Sequence, residues 1–292
     1  IKVAANVGLP SEVEAAIESG AEGIGLYRTE LMCLDRAEPP SEDEQARVYE
    51  EVVRAMSPRS VAFRTFDWRG DKRLRATDLS RHEATWLRSQ IRAILRASGA
   101  GDLAIMFPMV ATVQQFQSSR DLVSEACAEL GLESVPVGMM VEVPSAALLA
   151  NRFARHADFF AVGTNDLSHF TLASPRSDAR AEATPLDPAV LHLLSAVTAA
   201  ADRAGIPCSL CGDVATNPIA LGLMTGLGFR SVSVPVTALP LARAVIRRVD
   251  LGLASQVAND ALACETSDGV EELLQERLGP RLDPLWKTPN AS

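Results

Sequence analysis

The sequence predicts a closed (β/α)8 barrel, an α/β fold of the TIM type, on three observations. Eight short apolar segments recur along the 292 residues, a longer amphipathic segment follows each, and charged or amide residues fall where the apolar segments end. Parallel strands covered on both faces read as apolar runs, and eight strand–helix units in about 250 residues are the arithmetic of a closed barrel. An open doubly wound sheet would usually carry a Gly-rich dinucleotide loop after its first strand, and VGLPSEVEAA matches that loop poorly.

The elements follow in order. IKVAANV opens the barrel, and SEVEAAIESG is its first helix, with Ser11 as N-cap and Gly20 as the stop. GIGLYR is the second strand, followed by an excursion from Leu31 to Arg59 that holds the helix SEDEQARVYEEVVRAM. SVAFRTF is the third, and the segment from Asp67 to Ser98 holds a Lys/Arg-rich loop and then the helix ATWLRSQIRAILRAS. LAIMFPMV, PVGMMVE, FFAVGTN, PCSLCGD and SVSVPV complete the eight, separated by helical stretches that open with Pro or Asp and close with Gly, such as DPAVLHLLSAVTAAADRAG. Taken alone, the residues after FFAV read as a turn, since Gly163, Asn165 and Asp166 are turn formers and Asp166 could cap the next helix. LPLARAVIRRV closes the barrel at about residue 250, and Asp250 to Ser292 is a helical tail ending in a Pro-containing coil. With no internal repeat or low-complexity linker, a single domain over residues 1–292 is the economical reading.

Composition narrows the function classes. A net charge of −9 argues against a nucleic-acid surface, and no apolar run approaches the roughly 20 residues of a membrane span. Cys33, Cys127, Cys208, Cys211 and Cys264 are an odd, scattered set that fits a reducing cytoplasm better than a disulfide framework. Cys208 and Cys211 lack the two further ligands a structural zinc site wants; their spacing also raises a redox disulfide. The first residue, Ile1, suggests a chain cut from something longer.

In a barrel all eight carboxyl ends face one rim, so the strand ends list the candidate site. They supply Asn6, Arg28, Arg64 with Asp67, Met109, Glu142, Asn165 with Asp166, and Cys211 with Asp213; Arg176 follows in the loop after the sixth strand. Arg28 and Arg64 each end an apolar strand, where a charge is costly without an anionic partner. Together with Arg176 they favour a phosphate or carboxylate ligand over structural ion pairs to Glu30 and Asp67. Glu142 and Asp166 end consecutive strands and, beside Asn165, form a hard-oxygen set suited to Mg²⁺; a general acid/base pair is the alternative. Cys211 is the rim residue able to exchange a proton near neutral pH, unless it is a small apolar filler.

GAEGIGLYRTE, AFRTFD followed by GDK, QIRAILRAS, IMFPMV, GMMVEVPSAA, FFAVGTNDLSHFTLA and CGDVA resemble, in that order, the phosphoenolpyruvate-binding barrel of Enzyme I, the phosphoenolpyruvate-protein phosphotransferase of the sugar phosphotransferase system. The match runs from about Val3 to about Asp260. The resemblance implies that Arg28, Arg64 and Arg176 hold the phosphate and carboxylate of phosphoenolpyruvate, with Lys72 adding charge and Asn165 contacting the phosphate. It implies that Glu142 and Asp166 bind Mg²⁺ and that Cys211 protonates the enolate carbon, giving pyruvate. It further implies a phosphohistidine domain and an HPr-like carrier protein as partners, and a homodimer. The sequence departs from the family pattern in three places. None of His82, His156, His169 and His192 lies in the T-S-H motif of the phosphorylated histidine, which in the family sits on a separate N-terminal domain. The N-P-x-L-G-x-R segment, whose arginine is another substrate contact, is absent between GDK and QIRAILRAS; Arg81 or Arg88 could compensate, and spacing gives no warrant for either. The I-G-G-D-K loop reads Trp68-Arg69-Gly70-Asp71-Lys72, and Asp213 stands where the family has Glu. A Mg²⁺-dependent aldolase or lyase acting on a pyruvate enolate uses the same parts, and a phosphoenolpyruvate-sensing or dimerisation module is the non-enzymatic alternative.

Overall fold

A computed structural model describes residues 1–33, 36, 39–66, 83–174 and 183–282. Eight parallel strands form a closed barrel in sequence order: β1 (Lys2–Val7), β2 (Ile24–Arg28), β3 (Val61–Arg64), β4 (Leu103–Phe107), β5 (Val137–Val141), β6 (Phe160–Gly163), β7 (Cys208–Cys211) and β8 (Ser231–Pro235). β8 pairs back onto β1, with Lys2 opposite Ser231 and Asn6 opposite Pro235, so no edge strand is left unpaired. All eight predicted strands are present.

Strand periodicity divides the side chains between two compartments. On β3, Val61 and Phe63 face the helices, while Ala62 packs in the lumen. The helix-facing residues join one continuous core with α1 (Glu12–Glu18), α2 (Glu42–Met56), α3 (Glu83–Arg96), α4 (Val113–Leu130), α5 (Pro144–Leu148), α6 (Ala150–Phe153), α7 (Thr164–Thr171), α8 (Pro188–Ala204), α9 (Pro218–Gly226) and α10 (Leu239–Arg248). The lumen holds a separate, smaller cluster of Leu26, Met106, Met140, Ala161 and Cys211. The same alternation sends Cys208 outward into the shell and Cys211 inward, so a Cys208–Cys211 disulfide is incompatible with an intact β7.

The helix boundaries carry their own chemistry. Ser41 and Glu44 form a reciprocal capping box at the start of α2, Thr112 caps α4, and Asp187 and Asn217 cap α8 and α9 with Pro in the first turn. Gly20 has the left-handed backbone expected of a stop (φ 80°). Ser11, in contrast, makes no capping hydrogen bond. The carboxylate of Glu12 instead ties down the loop before the helix by accepting from the backbone N–H groups of Gly8 (2.7 Å) and Leu9 (2.9 Å). The helical stretch after β5 divides at Leu149 into α5 and α6. The stretch that read as a turn after FFAV is instead helix from Thr164 onward, which places Asn165 and Asp166 in the first turn of α7.

The tail is helical as far as Leu282: α11 (Leu251–Leu262), α12 (Ser267–Arg277) and α13 (Gly279–Leu282). α11 lies directly on α9, because a Cβ at Gly226 would stand 2.1 Å from the carbonyl oxygen of Ala254.

Candidate functional site

The carboxyl ends of the strands surround a cavity of about 150 Å³. Register sets its walls, since Arg28 lies opposite Arg64 and Gly163 opposite Cys211. Arg28, Arg64, Glu142, Asn165, Asp166 and Cys211 all line it, joined by Asn6 and Asp213. The strand-end list is therefore brought together as one site, although its members span more than two hundred residues of sequence.

The two arginines differ in their surroundings. Arg28 is exposed at the lip and, among the described residues, has no ion-pair partner. Arg64 is 6% exposed, and its Nη2 donates to Oε1 of the equally buried Glu30 at 2.5 Å. Half of the structural-ion-pair reading thus holds: the charge that ends β3 is balanced by an internal carboxylate before any ligand arrives. Behind it, the Thr29 hydroxyl donates to the Arg64 carbonyl (2.9 Å), and Gln90 of α3 donates to that hydroxyl (3.0 Å). Gln90 Oε1 also accepts from the backbone N–H of Phe66 (2.9 Å), so α3 pins the exit of β3 at both ends.

Glu142 is 2% exposed and accepts from the backbone N–H of Met109 at 2.7 Å. Met109 turns that N–H inward by adopting a left-handed backbone (φ 54°), uncommon for a residue with a Cβ and found where surrounding structure imposes it. On the other side the Glu142 carboxylate lies over Gly163, where a Cβ would stand 2.9 Å from Oε2. Asn165 is held in a reciprocal clip: its Nδ2 donates to Asp213 (2.8 Å) and its Oδ1 accepts from the Asp213 backbone N–H (3.2 Å). Asp213 therefore orders the start of α7.

The Cys211 thiol is 2% exposed, with Ser209 Oγ 3.9 Å from its sulfur. Burial pushes its pKa up to about 12, against the lowering effects of Ser209 and Arg64 and with a further raise from Glu142. This corrects the expectation of proton exchange near neutral pH. The thiol keeps its proton across the neutral range and can give it only to a strong base.

Asp67, Lys72, Arg81 and Arg176 lie outside the described residues. Arg88 is described and does not reach the rim; it pairs with Glu125 (3.6 Å) and Glu129 on the exposed face of α4. Sequence reading missed Gln90 and Ser209, named Glu30 only as a structural ion-pair partner, and saw Met109 only as a rim position. Only Glu30 had a visible signal, as an acid beside the arginine at the end of GIGLYR. Among the described residues no group of three or more His, Cys, Asp or Glu is spaced to hold a metal alone, and no helix is long and apolar enough to cross a membrane.

Fold and site together define a TIM barrel with a charged small-molecule cavity at its carboxyl rim. A family model described as PEP-utilising enzyme, PEP-binding domain, matches residues 1–251, and the chain belongs to that family. Similar relatives include the phosphoenolpyruvate-protein phosphotransferases of Staphylococcus carnosus (strain TM300), 38% identical over 94% of this chain and 52% of the relative, and of Geobacillus stearothermophilus, 38% identical over 92% and 51%. That of Bacillus subtilis (strain 168) is 36% identical over 94% and 52%. The chain spans about half the length of the curated relatives it matches. A solved citrate lyase from Burkholderia xenovorans LB400 aligns with a TM-score of 0.59 over 98% of this chain and 95% of its own; at 16% identity it bears on the fold alone.

Proposed function

We propose that the barrel binds phosphoenolpyruvate with Mg²⁺ and donates its phosphoryl group to a histidine on a separate domain, leaving pyruvate. One observation carries this reading: a single cavity combines two guanidiniums, two inward carboxylates and a thiol that stays protonated. Arg28, Arg64 and, from outside the described residues, Lys72 and Arg176 are assigned to the phosphate and carboxylate. Asn165 is assigned to the phosphate, which it would meet through the face of its amide group not already committed to Asp213.

A cation fits the charge balance of the site. Among the described lining residues, Arg28 and Arg64 face Glu142, Asp166 and Asp213, so the cavity carries more acid than base and would repel a multiply charged anion by itself. Glu142 and Asp166 would hold Mg²⁺, an ion that commonly takes one or two carboxylates and completes its shell with water and substrate oxygens. The bare Cα of Gly163 leaves the room that the Glu142 carboxylate occupies. When bound, the ion neutralises charge on the phosphoryl oxygens.

The chain's own residues do the rest. The arginines orient the substrate, and the P–O bond to the enol oxygen breaks as the phosphoryl group passes to the histidine nitrogen. The bonding electrons stay on that oxygen as an enolate. The Sγ–H of Cys211 protonates the enolate carbon, forming the methyl group of pyruvate, and water returns the proton to sulfur. A thiol with its pKa near 12 suits this step, because it stays loaded at neutral pH and yields only to a strongly basic carbon. We further assign the chain, barrel and tail together, as one domain of a cytoplasmic, homodimeric phosphotransferase-system enzyme that passes phosphate toward an HPr-like carrier; the relatives' names support the phosphoenolpyruvate-to-protein phosphotransfer alone.

The test follows pyruvate in D₂O with Mg²⁺ by proton NMR, and phosphoenolpyruvate binding by calorimetry. Loss of the methyl signal that quickens as pH rises toward 12, where the thiolate that abstracts the methyl proton forms, and that stops in Cys211→Ala, together with binding that needs Mg²⁺, is expected. Exchange that persists in Cys211→Ala removes the acid assignment, and no Mg²⁺-dependent binding removes the reading as a whole.

A further inference from the structure

Glu30 lines no part of the cavity, yet it is the most closely engaged polar side chain behind it. Its carboxylate is 5% exposed, in the short helical turn of residues 29–33 that follows β2, and its Oε1 accepts from Arg64 Nη2 at 2.5 Å. Oε2 is buried with no hydrogen-bond partner among the described residues, so the carboxylate is not satisfied for its own sake. The other Arg64 terminal nitrogen, Nη1, sits 3.6 Å from Met140 Sδ on the lumen side. The guanidinium is thus gripped at one nitrogen from behind while its other side faces the cavity wall, and Thr29, the neighbour of Glu30, holds the backbone of the same arginine.

We propose that Glu30 is a positioning residue for anion binding: by fixing one end of the Arg64 guanidinium it presents the remaining donors to the ligand in a single orientation. This rests on the phosphoenolpyruvate reading for its consequence, though not for the geometry. A flexible arginine would have to be ordered at each binding event, and an arginine already fixed by a buried carboxylate does not.

The experiment uses the full chain in two arms. In the first, the Arg64 Nε–Hε signal is followed by ¹⁵N NMR in wild type and in Glu30→Gln, which keeps the shape and removes the charge. The signal is expected to be sharp and slow to exchange in wild type and broadened in the variant; an unchanged signal overturns the proposal. In the second, phosphoenolpyruvate with Mg²⁺ is titrated into wild type, Glu30→Gln, Arg64→Ala and the double variant. Glu30→Gln is expected to weaken binding about tenfold, and to add nothing in the Arg64→Ala background. Losses that multiply in the double variant overturn the proposal, because a general structural role would act whether or not Arg64 is present. If Glu30→Gln does not fold, Glu30→Asp, which keeps the charge but withdraws it by one methylene, is carried through both arms with the same expectations. Absence of wild-type binding removes the functional reading, while the first arm still decides whether Glu30 holds Arg64.

Discussion

The two compartments of this barrel use the same strands for opposite purposes. In the shell, Tyr27, Tyr49 and Phe63 pack ring against ring, with centroids 5.1 Å apart for Tyr27–Phe63 and 4.9 Å for Tyr49–Phe63, and all three are fully buried. In the lumen, the neighbouring positions hold Leu26, Met106, Met140, Ala161 and Cys211, and above them Arg28, Arg64 and Glu142 take the place of apolar side chains. Large rigid rings can tie strands to helices only on the outside, whereas small or flexible side chains inside leave space at the rim. Stability is therefore concentrated in the shell and chemistry in the lumen.

The largest effect is expected in the shell. Phe63→Ala removes a ring with no exposed surface and should cost about 3–5 kcal/mol in denaturant unfolding. Met140→Ala, one strand layer inward and next to the open cavity, should cost clearly less. A larger loss for Met140→Ala would end the division of labour described above.

Two buried cysteines, one of them in the lumen, respond to pH. Burial raises both Cys33, at the end of the 29–33 turn, and Cys211, in the lumen, from 9.0 to about 12. Above about pH 9 the unfolded chain releases each of these protons and the folded chain does not. Each therefore lowers stability as pH rises toward 12, by on the order of 1.4 kcal/mol per pH unit. Below pH 9 neither contributes a slope. Stability measured against pH should decline less steeply in Cys33→Ala and in Cys211→Ala. An unchanged slope in either would mean that its thiol ionises as readily folded as unfolded.

Gly163→Ala reverses the emphasis, since its Cβ would stand 2.9 Å from Oε2 and 3.0 Å from Cβ of Glu142. The backbone there is ordinary (φ −89°), so little backbone strain is added and the carboxylate is what must move. Mg²⁺-dependent binding of phosphoenolpyruvate by calorimetry should fall about tenfold, equivalent to about 1.4 kcal/mol. Global stability should change by less than this. Equal losses in both measurements would assign Gly163 to packing alone.

The sequence made the shell and the rim positions legible for different reasons. Alternating apolar runs report which residues face helices, and the carboxyl ends of parallel strands always share a rim, so Glu142, Asp166 and Cys211 could be grouped without coordinates. Glu30 could be named as an ion-pair partner of the rim arginines, but that it holds Arg64, and that Gln90 stands behind the same exit, could not be read, because contacts between the 29–33 turn, β3 and α3 follow from helix placement and have no period. The state of Cys211 was misjudged for a related reason: residue type gives its ordinary pKa, and only burial gives the raised one. The helix that begins at Thr164 was hidden because Gly, Thr, Asn and Asp favour turns locally, and it forms where Leu167 and Ser168 are buried against the barrel.

Arg88 closes the comparison at its weakest end. It lies in the interval where the family's further substrate arginine is missing, although spacing gives no warrant for it as the replacement, and its guanidinium pairs with Glu125 and Glu129 on the outer face, with roughly two-fifths of the side chain exposed. Exposed pairs of this kind contribute about 0–1 kcal/mol and are screened by salt. Arg88→Ala should therefore shift stability by no more than about 1 kcal/mol, less still at high ionic strength, and should leave phosphoenolpyruvate affinity untouched. A tenfold loss of affinity in Arg88→Ala would bring α3 into the site and erase the boundary between shell and lumen on which the other predictions stand.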